Sequence, residues 1–186
     1  MINGDWSSDV CSSDLARIST ADFVQRYVDL KDPAAGCRPC PDYGRYWTCP
    51  PYDVPAADYW AGFDTVLLEG MQFHFTPAML ERRFDPEELA EYTRRLTAEQ
   101  ARQMDRALRR QYPGAAVLTT GGCTLCEECT RPMGRPCRHP QAVGYSLESL
   151  GCDVGAAARG ELGWELLWPR RDKLPRYLTL LCAVLR

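Results

Sequence analysis

Hydrophobic residues recur along most of the chain at the spacing of helices. Between residues 20 and 30 they fall three to four residues apart, which predicts a short amphipathic helix. The same spacing over residues 85–112 predicts a longer helix. Asp85 is placed to cap its N-terminus, and Pro113-Gly114 is placed to end it.

Runs of β-branched and aromatic residues predict strands at residues 65–75 and 115–120, and a hairpin formed by residues 164–168 and 177–185. Two short helices are expected at residues 146–150 and 154–162. This order of elements predicts an α/β fold, with a mixed sheet of about four strands covered by helices.

The first fifteen residues differ from the rest of the chain. Residues 5–15 look like the translation of a common sequencing adapter, and residues 1–15 have neither the basic nor the apolar part of a signal peptide. We therefore expect residues 1–15 to be a non-native, disordered tail in which Cys11 has no function. Residues 16–186 are expected to form a single α/β domain.

Composition and charge exclude several classes of protein. Apolar residues make up 45% of the chain and charged residues 25%, as in ordinary folded soluble proteins. The 22 basic residues do not exceed the 25 acidic ones, so we expect no binding to nucleic acid or to an anionic membrane. The longest hydrophobic stretch spans nine residues, about half of what a membrane-spanning helix needs. Since nothing indicates secretion, a cytoplasmic protein is expected.

Ten cysteines are the most unusual feature, and four of them form one compact motif. In this four-cysteine loop, Cys123, Cys126 and Cys129 follow one another at steps of three, and Cys137 comes eight residues later. The first two spacings match the bacterial ferredoxin run, whereas the last gap is longer. An iron–sulfur cluster is therefore favoured. Zinc is the alternative, and a disulfide framework or free thiols is the third interpretation. Nearby arginines are candidate hydrogen-bond donors to cluster sulfurs: Arg131, Arg135 and Arg138.

A second motif supplies three thiols, Cys37, Cys40 and Cys49, within a loop at residues 32–55. This three-cysteine loop is rich in proline and aromatic residues, which stiffen it and shield a metal centre from water. Three thiols leave one metal position without a sulfur ligand. That position is open, shared with the other loop, or filled by a remote residue such as Cys152 or His139. The alternative is a reduced loop with buried cysteines.

These motifs resemble a known family. The pattern C-x2-C-P-x-Y-G-x2-W-x-C-P-P, followed by G-G-C-x-L-C-x2-C, C-R-H-P and a Leu-Gly-x-Asp-Val segment, is similar to domain of unknown function 2284. The family's members are predicted metal-binding proteins with no established reaction. The resemblance runs from about Gly36 to the C-terminus, nearly all of the expected metal-binding domain of residues 16–186. It implies a metal site at Cys37, Cys40, Cys49, Cys123, Cys126, Cys129 and Cys137. Cys152 departs from the pattern, since an apolar residue is expected there.

We therefore expect the two loops to converge at one end of the sheet. The expected function is metal binding, with one or two 4Fe–4S clusters that serve electron transfer to a redox protein partner. Two alternatives stay open: an iron–sulfur enzyme with an open iron at the three-cysteine loop, and a zinc-stabilised interaction module. No catalytic residues stand out. His74 is expected to be an ordinary strand histidine, and Cys182 a small buried apolar residue.

Overall fold

The computed structural model describes residues 11–123 and 125–186, and of Cys11 only the backbone. The strands are β1 (Cys11–Ser19), β2 (Thr65–His74), β3 (Ala116–Leu118) and β4 (Tyr177–Leu185). The α-helices are α1 (Thr20–Tyr27), α2 (Ala56–Ala61), α3 (Pro77–Glu81), α4 (Pro86–Gln111) and α5 (Val154–Ala157). Short 3-10 turns lie at Arg131–Met133 and Glu148–Leu150, and a π-helical turn follows α5 at Ala158–Leu162.

The four strands form one sheet in the order β1-β2-β4-β3, and each neighbouring pair is antiparallel. In the centre, Ala183 of β4 lies opposite Leu68 of β2 on one side and Leu118 of β3 on the other. All but one of the nine residues of β4 are buried. A strand covered on both faces needs apolar side chains in both directions, which explains the hydrophobic run at this position.

Helices cover both faces of this sheet. Leu181, Ala183 and Leu185 of β4 pack with residues of α1, α2 and α5 in one apolar core. The alternate residues Leu180 and Val184 pack against α4 on the opposite face. The two cores follow from the alternation of side chains along a strand. Within the described residues, no helix is long and apolar enough to cross a membrane.

The predicted fold class and the number of strands are confirmed, but two details differ. All three strand pairings are antiparallel, and the parallel contact that the described residues contain, Thr119 with Ser146, is an isolated bridge. The predicted strand at residues 164–168 is wrong, because that segment has no regular structure. Since β2 and β3 already occupy both edges of β4, no edge is left for a hairpin partner.

The N-terminal segment also differs from expectation. Residues 11–15 belong to β1, which pairs with β2 from Cys11 opposite Phe73 to Ser19 opposite Thr65. An unpaired strand edge offers backbone donors and acceptors to any extended segment, whatever its side chains. Leu15 remains 51% exposed, so this pairing rests on the backbone. Residues 1–10 lie outside the described residues, and the non-native origin of the tail stays a prediction.

The helix predictions hold for the long periodic segments. Asp85 caps α4 by accepting a hydrogen bond from the backbone N–H of Glu87 at 2.9 Å, and the helix ends at Gln111. Ser19 caps α1 in the same way, with Asp22 as the donor at 3.1 Å. Sequence periodicity missed α2 and α3 because six and five residues are too few to establish a helical repeat.

Candidate metal centre

The three-cysteine loop connects α1 to α2 as a succession of tight turns. The backbone N–H of Cys40 donates to the carbonyl of Cys37 at 3.0 Å, and that of Cys49 donates to the carbonyl of Tyr46 at 3.0 Å. Cys40 is exposed, while Cys37 and Cys49 are partly buried. The turns bend the chain at Cys40 and Cys49.

The pKa values of two of these thiols respond to neighbouring groups. Burial raises the pKa of Cys37 to about 11, with further increases from the Glu148 carboxylate and from the thiols of Cys49 and Cys40. Burial also raises the pKa of Cys49, where Cys40 again contributes and Arg131 opposes the rise. A metal bound here would have to displace protons from these thiols.

The four-cysteine loop begins directly after β3. The Thr120 hydroxyl donates to the carbonyl of Leu181 at 2.7 Å, which anchors the start of the loop on β4. Burial raises the pKa of Cys123, and the thiols of Cys129, Cys126 and Cys137 raise it further. The three other thiols of this loop therefore lie near enough to Cys123 to act on it electrostatically.

Arg131 joins the two loops. Its guanidinium donates from Nη1 to the carbonyl of Tyr46 at 2.6 Å and from Nη2 to the carbonyl of Pro51 at 2.9 Å. Nη1 also contacts the carbonyl of Cys49. The guanidinium carbon lies 5.5 Å from the centre of the Trp47 ring. One side chain of the four-cysteine loop thus holds three backbone carbonyls of the other loop.

Two further contacts support this junction. The Trp47 indole donates to the hydroxyl of Thr130 at 3.2 Å, and that hydroxyl donates to the carbonyl of Pro136 at 2.9 Å. A Cβ atom at Gly122 would lie 3.0 Å from the Tyr46 ring, so glycine permits this close approach. The predicted proximity of the loops is confirmed. They meet beside the edge strand β3, although β4 separates β3 from β2, the strand that follows the three-cysteine loop and α2.

The donor set fits a soft metal centre. All seven predicted ligands are free thiols, and thiolates select zinc, copper(I) and iron–sulfur clusters. In the part of the chain that the structure describes, no three Cys, His, Asp or Glu side chains are close enough to share one ion. Binding therefore requires the thiols of each group to close in by adjusting loop turns.

The other candidate residues occupy different surroundings. Cys182 is fully buried on β4, and Cys152 is buried in the apolar core that includes α1. His139 is exposed, and its backbone N–H lies 3.4 Å from the Cys137 sulfur. His74 lies beside the Tyr177 ring, 5.4 Å between centres, and within 3.5 Å of the Ser12 hydroxyl, as expected of a strand histidine.

Of the three candidate arginines, only Arg131 bridges the loops in the part of the chain described. Arg138 donates to the carbonyl of Glu128 at 2.9 Å and so braces the four-cysteine loop internally. Arg135 is exposed. Arg131 and Arg138 thus donate to backbone carbonyls, and hydrogen bonds from the arginines to cluster sulfurs stay a prediction.

Sequence reasoning missed a charged pair next to the four-cysteine loop. Asp105 of α4 is only 8% exposed and pairs with Arg109, with 2.8 Å between Oδ1 and Nε. Both line a small cavity of about 20 Å³ that also includes Cys123 and Gly144. The helical periodicity predicted their helix, but which cysteine loop they face depends on how α4 packs across the sheet.

Glu148 is the second residue that sequence reasoning missed. It begins the 3-10 turn Glu148–Leu150, and its carboxylate oxygen Oε2 is buried without a hydrogen-bond partner. Burial raises the pKa of this carboxyl, while its own backbone N–H and the Ser146 hydroxyl favour the charged form. The thiol of Cys37 lies 3.8 Å from the backbone carbonyl of Glu148.

We expect Gly151→Ala to destabilise the protein by about 3 kcal/mol, because two penalties combine. Gly151 has φ of +89°, and an added Cβ would lie 2.7 Å from the Asp29 carbonyl and 3.1 Å from the Pro33 Cα. Urea unfolding measures the decrease in the free energy of unfolding. Gly114→Ala is a matched control, since Gly114 has φ of +80° with open space around it. Equal losses in both variants would contradict a role for this close approach.

Comparison with known proteins agrees with the chemistry of this site. Residues 24–185 match the family model described as predicted metal-binding protein (DUF2284), and the match includes both cysteine loops. No curated protein and no solved structure matched the chain. Because the family model covers most of the sequence, the chain belongs to the DUF2284 family of predicted metal-binding proteins.

Proposed function

We propose that the protein binds one 4Fe–4S cluster at each cysteine loop and passes electrons to a protein partner. The observation that carries this proposal is the grouping of the thiols. The thiols of Cys49 and Cys40 raise the pKa of Cys37, and the thiols of Cys129, Cys126 and Cys137 raise the pKa of Cys123, in each case after burial. Two adjacent groups of soft donors suit two clusters that exchange electrons.

The number and spacing of the thiols favour clusters over zinc. A structural zinc ion takes four ligands, usually from two separated C-x2-C pairs. Here three cysteines stand at steps of three in the four-cysteine loop, as in ferredoxins, and a further three stand in the neighbouring loop. Seven thiols exceed what one zinc ion needs, so a zinc module would leave a complete group unused.

The surrounding residues hold and shield such a centre. A bound cluster supplies one-electron redox chemistry. The Arg131 guanidinium keeps a fixed positive charge beside Cys49, which lowers the pKa of that thiol and favours its thiolate. Thr48 and Pro50 are buried next to Cys49 and limit the access of water. Solvent exclusion and nearby charge both shift a cluster's reduction potential.

The exposed apolar residues of the loops suit a protein partner. Tyr43 and Val54 of the three-cysteine loop are 37% and 52% exposed. Leu125 and Met133 of the four-cysteine loop are 39% and 48% exposed. Exposed apolar side chains around a redox centre are typical of transient interaction surfaces. We place the partner's docking surface on these loops.

Anaerobic purification with analysis of iron, sulfide and zinc tests the function. We expect a brown protein with acid-labile sulfide and about eight iron atoms per chain, four for each cluster. A colourless protein with stoichiometric zinc would contradict the proposal and support the interaction module. The metal-free protein after chelation is the reference sample.

Thiol alkylation locates the bound metal. Loading the protein with metal is expected to protect the seven thiols of the two loops from alkylation. Cys152 and Cys182 are buried, and burial raises the pKa of Cys182 to about 12, so both should resist alkylation with or without metal. The Cys11→Ser variant removes the remaining thiol from the measurement. Protection of only one loop would contradict the two-cluster proposal.

A further inference from the structure

The Glu148 carboxylate is only partly satisfied in the metal-free fold, where it interacts with its own backbone N–H and with the Ser146 hydroxyl. Its Oε2 has no hydrogen-bond partner, and no salt bridge among the described residues involves it. A buried carboxylate oxygen without a partner is costly, and such groups are paired or coordinate a metal in most proteins. The unpaired oxygen therefore points to a ligand outside the polypeptide.

Glu148 is next to the three-cysteine group. The Cys37 thiol contacts the backbone carbonyl of Glu148 at 3.8 Å. Near the same loop, Thr48, which is next to Cys49, has a buried hydroxyl oxygen that also lacks a hydrogen-bond partner. Of the four buried side-chain oxygen atoms without a partner among the described residues, these two belong to residues next to the predicted ligands Cys37 and Cys49.

The turn that carries Glu148 is fixed from several sides. Ser146 and Ser149 exchange backbone-to-hydroxyl hydrogen bonds at 3.1 and 3.2 Å across the turn. The Trp60 indole donates to the carbonyl of Leu150 at 3.1 Å from within the core. The Asp29 N–H donates to the carbonyl of Gly151 at 2.9 Å and ties the turn to the segment that leads into the three-cysteine loop. Such support holds a ligand side chain in one orientation.

We propose that Glu148 is the fourth, oxygen-donating ligand of the metal centre held by Cys37, Cys40 and Cys49. This inference rests on the proposed function. Cys152 packs in the apolar core and His139 is exposed, so Glu148 replaces both as the candidate for the missing position. A carboxylate is a hard ligand and binds iron less firmly than a thiolate does. The iron it holds is therefore open to exchange with a small exogenous ligand.

Cyanide titration of the reduced, iron-loaded protein, followed by electron paramagnetic resonance, tests the proposal. Cyanide displaces the carboxylate: one iron–oxygen bond breaks, one iron–carbon bond forms, and no electron is transferred. In Glu148→Gln the competing carboxylate is absent and the site is fully available. We expect the half-saturating cyanide concentration to fall at least about tenfold, since apparent affinity scales with the fraction of open site.

Two further variants make the result decisive. Glu165→Gln is the matched control, because Glu165 is an exposed glutamate outside both loops, and it should titrate like the wild type. Glu148→Asp keeps the charge but shortens the reach by one methylene, and we expect an intermediate concentration. If Glu148→Gln fails to fold or to load iron, the cyanide titration of Glu148→Asp tests the proposal instead. A purely structural role would leave the titration of Glu148→Asp unchanged, which overturns the proposal.

The failures of the two proposals are distinguishable. If the wild type takes up no iron and sulfide at the three-cysteine loop, the proposed function fails, and this inference fails with it. If the wild type loads both clusters and Glu148→Gln titrates within twofold of it, only the ligand role of Glu148 is overturned. Equal iron content in the wild type and Glu148→Gln, with a tenfold lower half-saturating cyanide concentration in the variant, supports both proposals.

Discussion

Replacing Cys126 by serine is expected to remove most of the metal bound by the four-cysteine loop and to lower the free energy of unfolding by about 4 kcal/mol or more. Cys126 is the middle thiol of the C-x2-C-x2-C run, and it acts electrostatically on Cys123. Metal binding and ordering of a loop are linked, so losing a ligand costs the fold the binding energy as well. Iron and sulfide analysis and urea unfolding of the reconstituted protein measure both effects.

Cys182→Ala is the control for the loss of a thiol as such. Cys182 is fully buried on β4, away from both thiol groups in sequence, and the variant should keep its full metal content. Its loss of stability should be the small one expected for removing a sulfur from an apolar core. Full metal content in Cys126→Ser would contradict the assignment of this loop as a metal site.

Replacing Arg131 by methionine is expected to lower the free energy of unfolding by about 3 kcal/mol and to weaken metal binding at the three-cysteine loop. The change removes a charged donor from the carbonyls of Tyr46, Cys49 and Pro51. Hydrogen bonds to charged groups contribute about 1.5–3 kcal/mol each, and partial exposure of the guanidinium reduces their sum. Urea unfolding measures the stability, and alkylation of Cys37 and Cys49 in the metal-loaded protein measures protection.

Arg135→Met is the matched control, because Arg135 is exposed in the same loop. It should change the free energy of unfolding by less than about 0.5 kcal/mol and leave protection of both loops intact. The four-cysteine loop should also remain protected in Arg131→Met, since its own hydrogen bond from Arg138 to Glu128 is untouched. Equal effects of the two substitutions would show that Arg131 does not hold the loops together.

Long local patterns determined much of the fold. The helix α4 was predictable because its apolar spacing continues over many turns and both ends carry capping signals, Asp85 and Pro113-Gly114. The strand β2 was predictable from its β-branched and aromatic residues. The two cysteine loops were recognisable as candidate metal sites for another reason: the distance between thiols along the chain limits which centres they can surround, whatever the rest of the fold does.

Only the tertiary structure decided how these elements are arranged. Strand order depends on which edges are free, and β4 lies between β2 and β3 although it comes last in the chain. The same packing directs Arg131 to carbonyls of a loop some 80 positions away in sequence and brings Glu148 against Cys37. An arginine on a loop or a glutamate in a short turn has no distinctive local pattern. Its role arises from neighbours that are distant in sequence, and burial among them is what gives an ordinary charged side chain a specific function.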